Sequence, residues 1–150
     1  MYKRQDLLPV AAPAIAARIG DVTALARETL IRVAHAPEDW PRWLAALGAE
    51  GLRAGGPVFD YYGQAIQAAL DGLGVAMGVR PYIDDDLAAG RLVAPFPRSV
   101  SKGMRWYLVH HPAREAEPGF TAFRRWIITA ATASEPMAGT TRHPGPKGEV

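Results

Sequence analysis

The fold is decided by residues Phe59–Phe96, FDYYGQAIQAALDGLGVAMGVRPYIDDDLAAGRLVAPF, which combine a helical pattern, a glycine turn and an apolar run. Small residues recur there at the spacing of one helix face: Ala65, Ala68, Ala69 and Gly72. A face with so little side chain predicts close packing against a sheet. Larger apolar residues beside it predict a helix that is largely buried: Ile66, Leu70 and Leu73.

A strand is predicted directly after this helix. We expect Gly72 to end the helix and Gly74–Gly78 to form the strand, because this short run is apolar without polar alternation. Strands of this kind are covered on both faces, usually in a parallel or mixed sheet flanked by helices. The stretch therefore predicts an α/β fold.

The composition is that of an ordinary globular domain. The chain has 150 residues, of which 49% are hydrophobic and 21% are charged, and such values suit one core. No apolar tract approaches the roughly 20 residues of a membrane span, which favours a cytoplasmic protein without membrane contact. The absence of cysteine excludes disulfides and thiol catalysis. The net charge of +2 is scattered, so the sequence shows no nucleic-acid-binding patch.

Caps, glycines and β-branched residues predict the other elements. Before the deciding stretch we expect a short helix at Pro13–Arg18, a turn capped by Asp21 and a strand at Leu30–Ala34. We then expect a helix at Arg42–Leu47 that Gly48 ends, and the start of a strand at Pro57–Phe59. Near the end of the stretch we expect a helical turn at Asp85–Ala89 and a strand at Leu92–Ala94. After it we expect a strand at Arg105–Val109 and a helix at Pro118–Ala131, whose core face carries Phe120, Phe123 and Ile127. Residues 134–150 lack periodicity and predict a disordered tail.

The deciding stretch resembles one protein family. Its order is a strand, a Gln-Ala-rich helix, Asp71-Gly-Leu-Gly-Val-Ala76, a proline and Asp86-Leu-Ala-Ala-Gly-Arg-Leu-Val-Ala-Pro-Phe96. This order is similar to the effector-binding domain of LysR-type transcriptional regulators, near the glycine-cleavage activator branch, and the resemblance extends over Leu7–Ile128. It implies the two-lobed α/β fold of type 2 periplasmic binding proteins. The chain would supply the second lobe plus the return strand and helix of the first.

The start of the chain predicts a truncated regulator. Tyr2-Lys3-Arg4-Gln5 is the peptide that the transposon-end adapter TATAAGAGACAG encodes, so we expect residues 1–5 to be translated adapter. The alternative is a genuine short N-terminus. The resemblance then implies a partial effector-binding domain over residues 6–133, with the second lobe at about 12–92 and the return to the first lobe at about 93–133. DNA contact would come only from a winged helix-turn-helix outside this sequence. The parent protein would be a homodimer or homotetramer.

The family's interlobe cleft implies where a small-molecule effector binds. The residues expected to border it are Ala11, Ala12, Pro13, His35, Asp60, Tyr61, Tyr62, Gly63, Arg80 and Pro81. The two tyrosines offer hydroxyls and rings to a ligand the size of an amino acid or aromatic acid, and Arg80 suits a carboxylate. The alternatives are that one tyrosine faces the core and that the arginine is a solvated surface charge. Ala11 and Ala12 replace hydroxyl residues that this branch often carries.

Two clusters invite a metal interpretation. Asp84-Asp85-Asp86 can supply oxygen ligands, but consecutive carboxylates point in different directions, which favours helix capping. His110-His111 has no third ligand at zinc spacing. We therefore predict neither a metal site nor a cofactor.

Two other function classes remain to be weighed. An enzyme could use His35, Asp60 and Tyr61 as an acid–base group, but the chain has no phosphate loop, nucleophile elbow or dinucleotide fingerprint. A transporter's solute-binding protein shares the fold and is the alternative to a regulator. We predict an effector-sensing part of a transcriptional regulator that is not an enzyme.

Overall fold

The computed structural model of the protein describes residues 4–105 and 107–133. These residues belong to two compact units, the first ending before Tyr107 and the second beginning there. The first unit holds a five-stranded sheet, and the second holds a short 3-10 helix and an α-helix. The predicted disordered tail, 134–150, lies outside the described residues.

Strands and helices alternate along the first unit, which confirms the predicted α/β class. Its elements in chain order are β1 Arg4–Val10, α1 Pro13–Ala16, a 3-10 helix Val22–Arg27, β2 Leu30–Val33, α2 Asp39–Ala45, β3 Val58–Phe59, α3 Tyr62–Leu70, β4 Val75–Arg80, α4 Asp84–Ala88 and β5 Val100–Arg105. The second unit has a 3-10 helix Pro112–Arg114 and α5 Pro118–Ala133.

The sheet is mixed, with the strand order β3-β2-β4-β1-β5. Strands β2, β3 and β4 run parallel, and β1 runs antiparallel to both β4 and β5. β1 begins with Arg4 and Gln5, which were expected to be translated adapter, and Gln5 is buried there. β1 and β5 share the sheet with β2–β4, so the sheet extends beyond residues 12–92. The boundaries of the two lobes stay a prediction.

Helices cover both faces of the sheet. Successive residues of β4 alternate between two buried clusters, so Val75 and Met77 pack on one face and Ala76 on the other. Helix α2 packs on the first face through Trp40, Trp43 and Leu44. Helix α3 packs on the second face through Ala65 and Ala69, which are fully buried. The strand predicted from the apolar run is therefore confirmed as the covered centre of the sheet.

Helix α3 ends as the sequence predicts. Gly72 has φ +80°, and its N–H and that of Leu73 donate to the carbonyls of Ala69 and Ala68 at 3.1 and 2.9 Å. A residue with a side chain is strained at this φ, which is why glycine stands there. Leu73 lies beyond the helix end and is 50% exposed, so the prediction that it is buried with the helix is wrong.

The predicted caps agree with the structure in part. Pro13 is the first residue of α1, and the Asp21 carboxylate accepts the N–H groups of Thr23 and Ala24, as expected. Helix α2 begins at Asp39 rather than at Arg42. Asp39 therefore belongs to the first turn of α2, and its side chain is buried within the fold.

The strand predicted at Arg105–Val109 is wrong. The observed strand is β5, which ends where the predicted one begins, and Tyr107–Val109 is not extended into a strand. The aromatic and β-branched run around Tyr107 has the higher strand propensity. Tertiary pairing with β1 nevertheless selects the more polar segment, since strand propensity depends strongly on context.

The strand predicted at Leu92–Ala94 is reduced to one bridge. Val93 exchanges two backbone hydrogen bonds with Ala11, at 2.9 and 3.0 Å, and no longer ladder forms there. Leu92 is buried while Val93 is exposed, so the segment covers one cluster without joining the sheet.

Helix α5 is present in the second unit and extends to Ala133, two residues past the predicted end at Ala131. Phe123, predicted on its core face, is 45% exposed, and Trp126 is 63% exposed. The two rings contact each other with centroids 5.9 Å apart. Among the described residues, no helix is long and apolar enough to cross a bilayer.

Candidate functional site

Most of the residues predicted to bind an effector lie at one edge of the sheet. Because β2, β3 and β4 are parallel, their last residues meet at the same edge, which we call the carboxyl edge. His35 follows β2, Asp60-Tyr61 follows β3 and opens α3, and Arg80 is the last residue of β4. In open α/β sheets, ligands bind outside the carboxyl ends of the strands.

His35 is held against the start of α3. Its Nδ1 lies 2.7 Å from the carbonyl oxygen of Asp60, and a carbonyl only accepts, so Nδ1 carries the proton. The imidazole meets the Tyr62 ring edge-on with centroids 5.3 Å apart, and the Tyr61 ring at 6.3 Å. In the neutral ring, Nε2 is then the hydrogen-bond acceptor.

The two adjacent tyrosines have opposite environments. Tyr61 is 67% exposed, whereas the Tyr62 hydroxyl turns inward and donates to Asp39 Oδ2. The alternative that one tyrosine faces the interior is therefore correct for Tyr62. Of these two tyrosines, Tyr61 is the one that stays on the surface.

A buried polar network lies beneath this edge, formed by Asp39, Tyr62 and Lys102. The Lys102 ammonium donates to Asp39 Oδ1 at 2.5 Å and to the Tyr62 hydroxyl at 2.6 Å. The side chains of Lys102 and Asp39 are 8% and 4% exposed. The ammonium also lies 5.2 Å from the centre of the Tyr62 ring, within cation–π range. Each charge therefore has a partner where water is excluded.

The pKa of Tyr62 reflects this environment. Burial raises the pKa of the phenol above its usual range, and the hydrogen bond to Asp39 with the carboxylate's charge raises it further. Tyr62 therefore stays protonated at physiological pH and keeps donating to Asp39.

Arg80 is only partly available. Its Nε lies 3.4 Å from Asp84 Oδ1, an ion pair without hydrogen-bond geometry, and the two side chains are about one third exposed. The two paired atoms are themselves buried, so the part of the guanidinium that a ligand carboxylate can reach lies beyond Nε. The Arg80–Pro81 peptide bond is cis.

Ala11, Ala12 and Pro13 lie at the opposite edge, which we call the amino edge. β1 runs antiparallel, so Val10 pairs with Ala76 near the start of β4, while Asp6 pairs with Arg80 at its end. The length of β4 therefore separates these three residues from the other predicted contacts. The role of Ala11–Pro13 in effector binding stays a prediction.

Sequence reasoning missed Asp39 and Lys102. They are 63 residues apart, and no local pattern links them. Asp39 resembles an ordinary helix-start acid, and Lys102 lies in a polar segment that was not predicted to be a strand. The only local signal is Gly103, whose φ of +78° marks an irregularity beside Lys102.

The acidic and histidine clusters contribute no metal site within the described part of the chain. No group of three or more His, Asp or Glu side chains is placed there to hold an ion. Asp84, Asp85 and Asp86 form the first turn of α4, where the helix dipole favours acids. His110 Nε2 lies 3.6 Å from Glu115 Oε1, and the His111 ring accepts the N–H of Ala113.

An open groove of about 620 Å³ begins beside the carboxyl edge at Gly63. It runs between α3 and the segment after α4, and its walls are Gly63, Ile66, Gln67, Leu70, Asp86 and Arg91. Arg91 Nε donates to Asp86 Oδ1 at 2.7 Å, so the charges in this groove are paired with each other.

A mixed sheet with helices on both faces and a polar carboxyl edge defines an α/β ligand-binding domain. The sequence matches the family model for the LysR substrate binding domain over residues 3–132. The chain belongs to this family, as the resemblance implied. Its members are transcriptional regulators and not enzymes.

Three curated relatives show the same relationship. The chain is 37% identical over 127 residues to the HTH-type transcriptional regulator TrpI of Pseudomonas aeruginosa, covering 79% of this chain and 41% of that protein. It is 34% identical over 121 residues to the activator AmpR of Rhodobacter capsulatus, covering 81% and 41%. It is 33% identical over 112 residues to the glycine cleavage system transcriptional activator of Escherichia coli K12, covering 74% and 36%. The chain thus spans about two fifths of their length.

Solved effector domains have the same fold. The effector domain of AmpR from Pseudomonas aeruginosa superimposes with a TM-score of 0.68 at 30% identity, covering 87% of this chain and 62% of that one. The AmpR effector binding domain of Citrobacter freundii gives 0.72 at 23% identity, covering 89% and 68%, and supports the fold alone.

Proposed function

We propose that this chain is the effector-sensing part of a LysR-type transcriptional regulator and that its effector binds at the carboxyl edge. One observation carries the location: His35, Tyr61 and Arg80 stand at the ends of three adjacent parallel strands. Together they combine an imidazole acceptor, an exposed phenol and a partly exposed cation. Such a group of convergent polar side chains is typical of a small-molecule site.

The chemistry of this edge favours an amino acid or another small carboxylate. Arg80 is the cation for the carboxylate. The first N–H groups of α3, at Tyr62 and Gly63, lie at the positive end of the helix dipole, which also favours an anion. His35 Nε2 can accept a hydrogen bond from an ammonium group. The charges of Asp39 and Lys102 are already paired within the buried network, so they do not take part in binding the ligand.

The whole regulator is proposed from the relatives' named roles. It would bind DNA through a winged helix-turn-helix, in the part of the relatives' length that this chain does not span, and act in the cytoplasm as a homodimer or homotetramer. Effector binding would shift the equilibrium between conformations of the ligand domain and so change transcription. The alternative of a transporter's solute-binding protein is not favoured, because the curated relatives are transcriptional regulators.

A thermal-unfolding screen tests the site. The 150-residue chain is melted with each of the common amino acids and with benzoate, and with Arg80→Gln and Tyr61→Ala variants in parallel. A ligand at a hundred times its Kd stabilises the folded state by about 2.7 kcal/mol, which raises Tm by several degrees. We expect Arg80→Gln to abolish the response to carboxylates and Tyr61→Ala to weaken it.

The matched control is Arg53→Gln, since Arg53 is an exposed arginine in the loop between α2 and β3. It should leave both the basal Tm and the ligand response unchanged. A full response in Arg80→Gln, or no response to any member of the panel in the unmodified chain, would contradict the proposed site and ligand class.

A further inference from the structure

Strand β5 contains a bulge next to the candidate site. Arg4 pairs with Arg105 and Asp6 with Ser101, so the segment from Lys102 to Met104 lies opposite Gln5 alone. Bulges turn side chains away from the regular alternation and occur near functional sites. Gly103, with φ +78°, supplies the backbone conformation that the bulge needs.

The bulge sends neighbouring side chains in opposite directions. The Met104 side chain is 57% exposed, whereas that of Lys102 is 8% exposed and reaches inward to Asp39 and Tyr62. A lysine on an edge strand normally keeps its charge in water. The local geometry of β5 therefore serves to bury this particular ammonium.

The network joins the two faces of the sheet around the carboxyl edge. Asp39 opens α2 on one face, and Tyr62 opens α3 on the other, with the ring of Tyr62 packed against both buried clusters. Lys102 connects both helix starts to β5. His35 then rests on the outer side of the Tyr62 ring.

Stability alone does not explain such a network. A buried ion pair commonly gains no more than well-packed apolar residues of similar size, because desolvation offsets the attraction. Geometry is what it supplies here, since three polar groups with short hydrogen bonds fix the position of one ring.

We propose that Lys102 and Asp39 are positioning residues of the effector site, which hold the Tyr62 ring inside the edge and so set the first turn of α3 and the His35 imidazole. The ligand does not touch them. This inference rests on the proposed function for its biological meaning, but its structural core is testable without any ligand.

The first test follows the ring protons of His35 by NMR in the 150-residue chain. In the unmodified chain we expect them to carry the ring-current shift of Tyr62 and to show Overhauser contacts with it, since the two ring centroids are 5.3 Å apart. The double variant Asp39→Leu/Lys102→Met removes both partners without leaving a buried charge, and both signals should be lost. Met104→Ala, an exposed change in the same bulge, should preserve them. A double variant that keeps the His35–Tyr62 contact overturns the proposal.

Tyr62→Phe provides a second route if circular dichroism shows the double variant to be unfolded. It removes only the hydroxyl and leaves the Asp39–Lys102 pair intact. Release of the ring should weaken the His35 contact as before. Retention of the full ring-current shift in Tyr62→Phe contradicts the proposal.

Ligand affinity separates this inference from the proposed function. With whichever amino acid or benzoate stabilises the unmodified chain, the double variant should bind at least about tenfold more weakly, and Met104→Ala should bind equally well. Equal affinity in the double variant overturns positioning while the proposed site stands. If neither any amino acid nor benzoate stabilises the unmodified chain, the proposed ligand class is contradicted. The NMR measurement of the His35–Tyr62 contact then tests the positioning role by itself.

Discussion

The two edges of one sheet differ in how their polar groups are satisfied. At the carboxyl edge, side chains from separate elements meet each other: Asp39, Tyr62 and Lys102. At the amino edge, the backbone satisfies itself over short distances. Ala11 exchanges both of its backbone bonds with Val93, and the Ala12 carbonyl accepts from Ile15 and Ala16. Polar side-chain contacts between separate elements are therefore found at the carboxyl edge, and backbone contacts are found at the amino edge.

The largest effect is expected from breaking the network at the carboxyl edge. Lys102→Met leaves the Asp39 carboxylate buried without its cation and should lower the free energy of unfolding by about 3–5 kcal/mol. Adding Asp39→Leu should restore most of the loss, since no buried charge then remains. Urea unfolding followed by tryptophan fluorescence measures both. A loss below about 1 kcal/mol in the single variant would mean that the pair is solvated after all.

The next largest effect is expected from a packing change at the amino edge, which should alter stability but not ligand affinity. Ile15, in α1 at the amino edge, is 6% exposed within the first buried cluster. Ile15→Ala should lower the free energy of unfolding by about 2–4 kcal/mol through the cavity it leaves. Ligand affinity, measured by calorimetry well below the new Tm, should not change. A parallel drop in affinity would show that the amino edge takes part in binding.

A smaller, pH-dependent effect is expected at Asp21, before β2. The N–H and hydroxyl of Thr23 and the N–H of Ala24 bond its carboxylate and hold the pKa of Asp21 below its usual value, with the Thr23 hydroxyl as the largest cause. A lowered pKa stabilises the fold above the unfolded-state pKa, and this contribution is lost as the pH falls through the folded-state pKa.

Asp21→Ala should therefore destabilise the chain at neutral pH and differ less from the unmodified chain in acid. Asp21→Asn retains an acceptor oxygen and serves as the control, with a smaller loss. Urea midpoints at neutral pH and below about pH 4 provide the comparison. A stability difference that grows on acidification has the wrong sign for this account.

The smallest effect is expected from a substitution at Ala12, which was predicted to contact the effector but lies at the amino edge. Ala12→Ser restores a hydroxyl at the amino edge, and its free energy of unfolding should stay within about 0.5 kcal/mol of the unmodified value. The response to amino acids and benzoate should also be unchanged. A serine that alters ligand affinity would return Ala11–Pro13 to the site.

Local patterns were enough to predict much of the fold. The apolar run became the central strand β4, and Gly48, Gly72 and Gly90 each stand at a helix end with positive φ. These features depend on residues close in sequence. The resemblance then supplied the LysR family, which the comparisons confirm.

The failures have a common physical cause. β5 was misplaced by a few residues because its pairing with β1, which is distant in sequence, outweighs the propensity of the aromatic run after it. The Asp39–Lys102 pair likewise depends on tertiary contact. The sequence could not show that Ala11 lies at the opposite edge from His35 and Arg80, because the position of Ala11 depends on the direction of β1, which no local spacing encodes. Long-range pairing is thus what the sequence pattern could not supply.

The central claim is that the carboxyl edge binds the effector, and an amide NMR titration tests it most directly. The isotopically labelled chain is titrated with the common amino acids and with benzoate. We predict that the largest shift changes of a responding ligand occur at His35, Tyr61, Tyr62 and Gly63, with Ala11 and Ala12 unmoved. Shift changes centred on Ala11, Ala12 and α1, with the carboxyl edge silent, would contradict the account.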